Sequence, residues 1–149
     1  PIDFNENSKT TIKNNLITTK KAKEHLLNKG LLIIFPSGSV SVSNNLKKMY
    51  EVDEWKNFTA KIIKQTKTDV LPIFFDGKNG LLFHLFASKL KNQTLKYSSY
   101  IHETKKMIGK NINIYPGNII KFNELNEFKD RSELTQYLKM ETYKLGKFE

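Results

Sequence analysis

Two short apolar runs, Leu31-Leu-Ile-Ile-Phe35 and Val70-Leu-Pro-Ile-Phe-Phe75, constrain this chain more than any other feature. Each has the length of a strand, and each stops at turn-forming residues, Pro36-Ser37-Gly38 after the first and Asp76-Gly77 after the second. An apolar run that ends at Pro or Gly and opens into polar residues is how a buried strand delivers a loop to the edge of a sheet.

The intervening segments read as helices. After Ser8 and Thr10, both able to cap, Ile12, Leu16, Thr19, Ala22 and Leu26 recur at three- and four-residue steps until Gly30. This spacing predicts an amphipathic helix over about residues 9–29, with Lys13, Lys20, Lys21 and Lys23 on its other face. Trp55, Phe58, Thr59, Ile62 and Ile63 mark a second helix over 54–65. Further helices are expected at 97–108, stopped by Gly109, and at 132–145 with Leu134, Tyr137, Leu138 and Leu145 inward. Residues 111–115 alternate like a third strand before Pro116-Gly117. Residues 36–53 carry no clean period and read as a long polar loop; Leu81–Phe86 is an apolar cluster too dense for one face. The expected architecture is one α/β domain over residues 1–149, with strands 31–35, 70–75 and 111–115 neighbouring in a mixed sheet flanked by amphipathic helices.

Composition narrows the function. Ten Phe and six Tyr in 149 residues suffice for a packed core, and no linker divides the chain. The absence of Cys removes disulfides and thiolate metal sites. The net charge of +10 suggests an anionic partner. Nucleic acid is a poor fit, because Arg131 is the only arginine and the lysines are scattered along the whole chain. Two explanations remain for the charge. One is a bias of residue usage towards Lys and Asn; the other is attraction to anionic lipid, where each lysine near the surface contributes roughly 1 kcal/mol. No apolar run approaches the ~20 residues a spanning helix requires. The chain opens at Pro1-Ile2-Asp3 without Met or a signal-like segment, as the C-terminal part of a longer protein would.

The hydroxyl-rich turn Phe35-Pro36-Ser37-Gly38-Ser39, with Ser41 beyond it, is the strongest candidate for chemistry. Pro36 and Gly38 fix a tight turn, backbone N–H groups there can face an anion or ester oxygen, and the serines add donors. Its plain structural alternative is a strand-to-loop turn. In order along the chain stand Trp55, the pair Ala60-Lys61, the segment from Val70 to Asn79 closing on Asp76-Gly77-Lys78-Asn79, and the segment from Glu103 to Gly117 ending at Pro116-Gly117-Asn118-Ile119. This ordered series resembles the glycerolipid acyltransferase family, in particular its hemolysin-like, lyso-ornithine-lipid branch. It runs from Pro1 to about Leu125.

The resemblance implies an acyltransferase that moves a fatty acyl group from coenzyme A or acyl carrier protein to a lysolipid; no cofactor is expected, and no metal site, because no His/Asp/Glu set has metal-ligand spacing. It implies a place in the cytoplasm, peripheral to the inner face of the membrane, and a head-group site at Phe35, Pro36, Ser37, Gly38, Ser39 and Ser41. Two departures stand out. Both positions flanking Gly38 are Ser where the family usually carries an acidic residue. The family's catalytic block is a His with an Asp five positions later, and here Gly30, Lys89 and Met107 stand five residues beyond His25, His84 and His102. No catalytic residue is therefore assigned to this chain. His25 reads instead as a last-turn helix residue, His84 as a core or rim histidine and His102 as part of a charged helical stretch. The Phe74, Phe75, Phe83 and Phe86 patch reads as core packing or as the wall of an acyl groove. The alternative function is a non-catalytic domain that binds a lipid or membrane surface. A hydrolase using Ser37 or Ser39 would need a partnering His that nothing assigns.

Overall fold

A lysine closes the first helix. In the computed structural model, which describes residues 9–38, 54–76 and 93–146, helix α1 spans Lys9–Leu27. Lys29 turns into the left-handed region at φ 61° and donates its N–H to Leu26, while Gly30 donates to the His25 carbonyl at 2.8 Å. These are the paired bonds of a Schellman ending. A Cβ at Gly30 would lie 2.4 Å from the His25 ring, so a side chain there would displace that ring. The α1 stripe is less buried than its spacing predicts. Thr19, Ala22 and Leu26 are half-buried, but Leu16 is exposed, as is its neighbour Ile17. Apolar residues on two sides of one helix cannot all face one neighbour. Ser8 lies outside the described residues.

Helix α2, Phe58–Thr66, is the centre of the packing, because Thr59, Ala60, Ile62 and Ile63 are all buried. It ends at Lys67, again left-handed at φ 53°. Strand β1 (Ile73–Asp76) follows, then helix α3 (Gln93–Met107), strand β2 (Asn113–Pro116), helix α4 (Phe122–Glu127) and helix α5 (Arg131–Lys144). Helix α3 stops at Gly109 with φ 77°, where the sequence placed its end. In α5, Leu134 and Leu138 are buried and Tyr137 half-buried, as the periodicity required. Helix α1 packs on α2, and α2 on α5. Ala60, Ile63, Ile120, Leu125, Leu134 and Leu138 form the core, with Trp55 and Val70 among the residues closing over it. Among the described residues, no helix is long and apolar enough to cross a membrane.

The mixed sheet expected from three strands is, among the described residues, a two-stranded antiparallel pair. Ile73 faces Pro116 and Phe75 faces Ile114. Beyond the strands, Gly117 donates to the Pro72 carbonyl at 2.9 Å, and Val70 and Ile120 exchange both backbone bonds. The register therefore slips by one residue between Gly117 and Ile120, which is a bulge. Residues 31–35 carry no regular secondary structure and pair with no strand among the described residues. The Leu31 carbonyl is held at 3.0 Å by His25 Nε2, and the segment reaches β1 through side chains, with the Phe35 and Phe75 rings 6.5 Å apart. The apolar cluster 81–86 and most of the 36–53 loop lie outside the described residues.

Candidate functional site

The turn after residue 35 has the geometry its residues dictate. Gly38 donates its N–H back to the Phe35 carbonyl at 3.1 Å, with Pro36 at the second position and Gly38 at the fourth at φ 67°. Pro fits the second position because its φ is fixed, and Gly fits the fourth because a left-handed residue there strains any Cβ. The Gly38 N–H, which the sequence reading would aim at an anion, is used in closing this turn. Donors towards a ligand would come from the serine side chains. Ser37 is half-buried; Ser39 and Ser41 lie outside the described residues.

The turn is anchored on its inner side by Lys56, whose N–H donates to the Pro36 carbonyl at 3.0 Å. Lys56 immediately precedes α2 and follows Trp55, so the residues leading into α2 lie directly behind the turn. Trp55 is half-buried, and its ring centroid lies 6.4 Å from that of Tyr143. Tyr143 also meets the Phe74 ring edge-on at 5.8 Å, and Phe74 in turn lies 6.4 Å from its cross-strand partner Tyr115. On the outer side Phe35 lies against Phe75, and both rings are largely in solvent, 70% and 48% exposed. The turn thus stands at the border between a packed aromatic layer (Trp55, Phe74, Tyr115, Tyr143) and an open apolar face. Phe83 and Phe86 lie outside the described residues.

Of the quoted motif residues, the structure brings Phe35–Gly38, Trp55 and Phe74–Phe75 close to one another. Ala60 belongs instead to the core, fully buried against Leu134 and its neighbours. Tyr143 joins the site from the last helix, and sequence reasoning missed it. Its only signal was an aromatic residue one turn beyond the inward positions of α5, which does not specify a partner nearly ninety residues upstream.

His25 is exposed and serves the end of α1; His102 is exposed on α3; His84 lies outside the described residues. Glu103 is buried on α3 with Lys106 Nζ at 3.9 Å from its carboxylate. Among the described residues, no three of His, Asp and Glu gather closely enough to hold a metal ion. Among the described residues, two side chains titrate away from their ordinary values. Asp69 is lowered, first by the Lys121 ammonium and then by the Phe122 N–H. Tyr137 is raised, first by burial and then by the carboxylates of Glu141 and Glu124. No family model, curated protein or solved structure matches the chain.

Proposed function

We propose that this chain forms the acceptor-side portion of a glycerolipid acyltransferase, an enzyme that passes a fatty acyl group from an acyl thioester to a lysolipid. The single observation behind this reading is the convergence at the Pro36 turn. Lys56 N–H reaches the Pro36 carbonyl at 3.0 Å and the Phe35 ring reaches Phe75, so segments up to forty residues apart in sequence meet at one turn. A polar turn beside an apolar surface suits an acceptor with a polar head and an acyl tail.

In this reading the Ser37 hydroxyl, with those of Ser39 and Ser41, contacts the lysolipid head group, and Phe35 and Phe75 lie along the acyl chains. The thioester of coenzyme A or acyl carrier protein is the donor. A base removes a proton from the acceptor hydroxyl or amine, which then attacks the thioester carbonyl and expels the thiolate. No histidine here has an aspartate five residues beyond it, so the base comes from a His–Asp block outside these 149 residues. The protein works peripherally at the inner face of the membrane, where its acceptor resides.

The reading is tested by titrating a short-chain, monomeric lysolipid into the 149-residue chain and into its Ser37→Ala and Gly38→Val variants. Gly38→Val forces a branched side chain into the left-handed region and distorts the turn, at about 1–3 kcal/mol of local strain. Both variants should bind the lysolipid at least several-fold more weakly while their far-ultraviolet circular dichroism stays unchanged. Equal binding by parent and both variants would remove the acceptor site from this turn.

A further inference from the structure

The two sides of the 31–36 segment differ sharply. Leu31, Ile33 and Phe35 are 81%, 74% and 70% exposed, whereas Leu32, Ile34 and Pro36 between them are half-buried. Alternation of this kind places the first three on one side of an extended chain. The same side continues into the β pair. Phe75 lies against Phe35 and stands directly opposite Ile114, so Phe75 and Ile114 share a face; they are 48% and 54% exposed. Ile112, two residues before Ile114 and 52% exposed, extends it. The opposite face is the packed one, where Phe74 meets Tyr143 of α5. One side of this layer is a core, and the other is an apolar surface that no described residue covers.

Single exposed apolar residues need no explanation, but a contiguous patch of large ones marks a place where something binds. Charge points to what. Neither 31–36 nor 111–116 contains a charged residue, and each is preceded by an exposed lysine, Lys29 and Lys110; the acidic residue of β1, Asp76, alternates to the side opposite Phe75. The whole chain carries +10, so a second copy laid on this face would bring +10 against +10. A bilayer with anionic head groups offers what the face lacks on both counts, an apolar interior for the side chains and negative charge for the flanking lysines.

We propose that the face formed by Leu31, Ile33, Phe35, Phe75, Ile112 and Ile114 docks on an anionic lipid bilayer, with Lys29 and Lys110 at head-group level. The inference deepens the transferase reading, which already places the protein at a membrane, but its test does not depend on the serine turn. Leu31, Ile33 and Ile114 lie outside the 35–41 turn, so vesicle binding through them and lysolipid binding at Ser37 are separate measurements.

The experiment is co-sedimentation of the 149-residue chain with vesicles of phosphatidylcholine, alone and mixed with phosphatidylserine. The chain should bind the mixed vesicles and bind phosphatidylcholine much more weakly. The combined variant Leu31→Ser, Ile33→Ser, Ile114→Ser should lose about tenfold or more of that affinity, because buried apolar area sets the strength of interfacial binding. Lys29→Glu with Lys110→Glu should remove much of the preference for phosphatidylserine. Leu16→Ser, equally exposed but on α1, should bind like the parent. Circular dichroism and Trp55 fluorescence check the fold of each; if the combined variant unfolds, Ile33→Ser alone carries the test, with a loss of a few-fold. Three results would overturn the proposal. The first is no vesicle binding by the parent. The second is equal binding by the parent and the apolar variants, as a purely electrostatic contact would give. The third is a stable dimer in solution that the apolar substitutions dissociate.

Discussion

Asp69 and Lys121, separated by 52 positions, meet with 2.9 Å between the carboxylate and the ammonium. The other carboxylate oxygen accepts the Phe122 N–H at 2.9 Å, so Asp69 caps α4 from a different part of the chain. It thereby ties the loop before β1 to the helix after β2. Both interactions favour the ionised carboxylate and lower its pKa. A lowered folded-state value means stability that is present above the ordinary aspartate range and lost as pH falls through the folded value. Asp69→Asn keeps an oxygen for the Phe122 N–H but has no charge to titrate. Urea midpoints of the variant should lie below those of the parent near neutrality, and the two curves should converge as the solution is acidified. Parallel curves across the acid range would show that Asp69 is uncoupled from folding.

Tyr137 gives the opposite dependence. Its ring lies 4.8 Å from that of Phe128, and burial with nearby Glu141 and Glu124 raises its pKa. A raised folded-state value means stability intact below the ordinary tyrosine pKa and lost as pH climbs through the folded one. Tyr137→Phe should keep the packing and soften the alkaline loss, as read from thermal midpoints on either side of the ordinary tyrosine value.

Two lysines occupy left-handed backbone that suits glycine better. Lys29 at φ 61° and Lys67 at φ 53° each follow a helix and pass their N–H to a helical carbonyl. Lys29→Gly and Lys67→Gly should each raise stability by about 0.5–1 kcal/mol, the left-handed strain of a side chain less the extra entropy of unfolded glycine. Urea unfolding measures this. A loss of stability at either position would mean that the lysine's contacts outweigh its backbone strain.

These endings show what the sequence could and could not convey. Gly30 and Gly109 announced the ends of α1 and α3, because a helix stop is written in a few adjacent residues. The stripes of α2 and α5 were equally legible, since burial of Ile62, Ile63, Leu134 and Leu138 follows from a 3.6-residue period. Helix α4 was invisible. It has six residues, and its first free N–H is satisfied by Asp69, a tertiary contact that local pattern does not encode. Residues 31–35 have the composition of a buried strand, yet Leu31, Ile33 and Phe35 face outward, because apolarity states that a side chain seeks cover and not what covers it. At the site, Pro36 and Gly38 specified the turn, whereas Tyr143 reached it only through the packing of α5.

Thr59 is buried on α2, and its hydroxyl has no hydrogen-bond partner among the described residues. A buried hydroxyl without a partner costs about 1–3 kcal/mol, and an isosteric methyl removes that cost. Thr59→Val should therefore raise the unfolding free energy by about 1 kcal/mol, with little change in helix propensity because both residues are β-branched. A loss of more than that amount would reveal a partner for the hydroxyl.

The last expectation concerns turnover. If the transferase reading holds, this chain by itself should bind acceptor but not transfer acyl groups. Its histidines lack the required aspartate: His25 supports the Leu31 carbonyl and His102 lies exposed on α3. Positioned acid–base groups contribute about 100- to 10,000-fold, more than an acceptor surface alone can replace. The measurement is incubation of the chain with labelled acyl thioester and a panel of lysolipids, with product followed by chromatography. A longer protein that also carries a His–Asp block should be active, and Ser37→Ala in it should raise the KM for lysolipid more than it lowers kcat. Turnover by the 149-residue chain comparable to that longer protein would place the base among its own histidines. His25→Ala, His84→Ala and His102→Ala would then identify which, and the assignment of the base to a block outside the chain would be wrong.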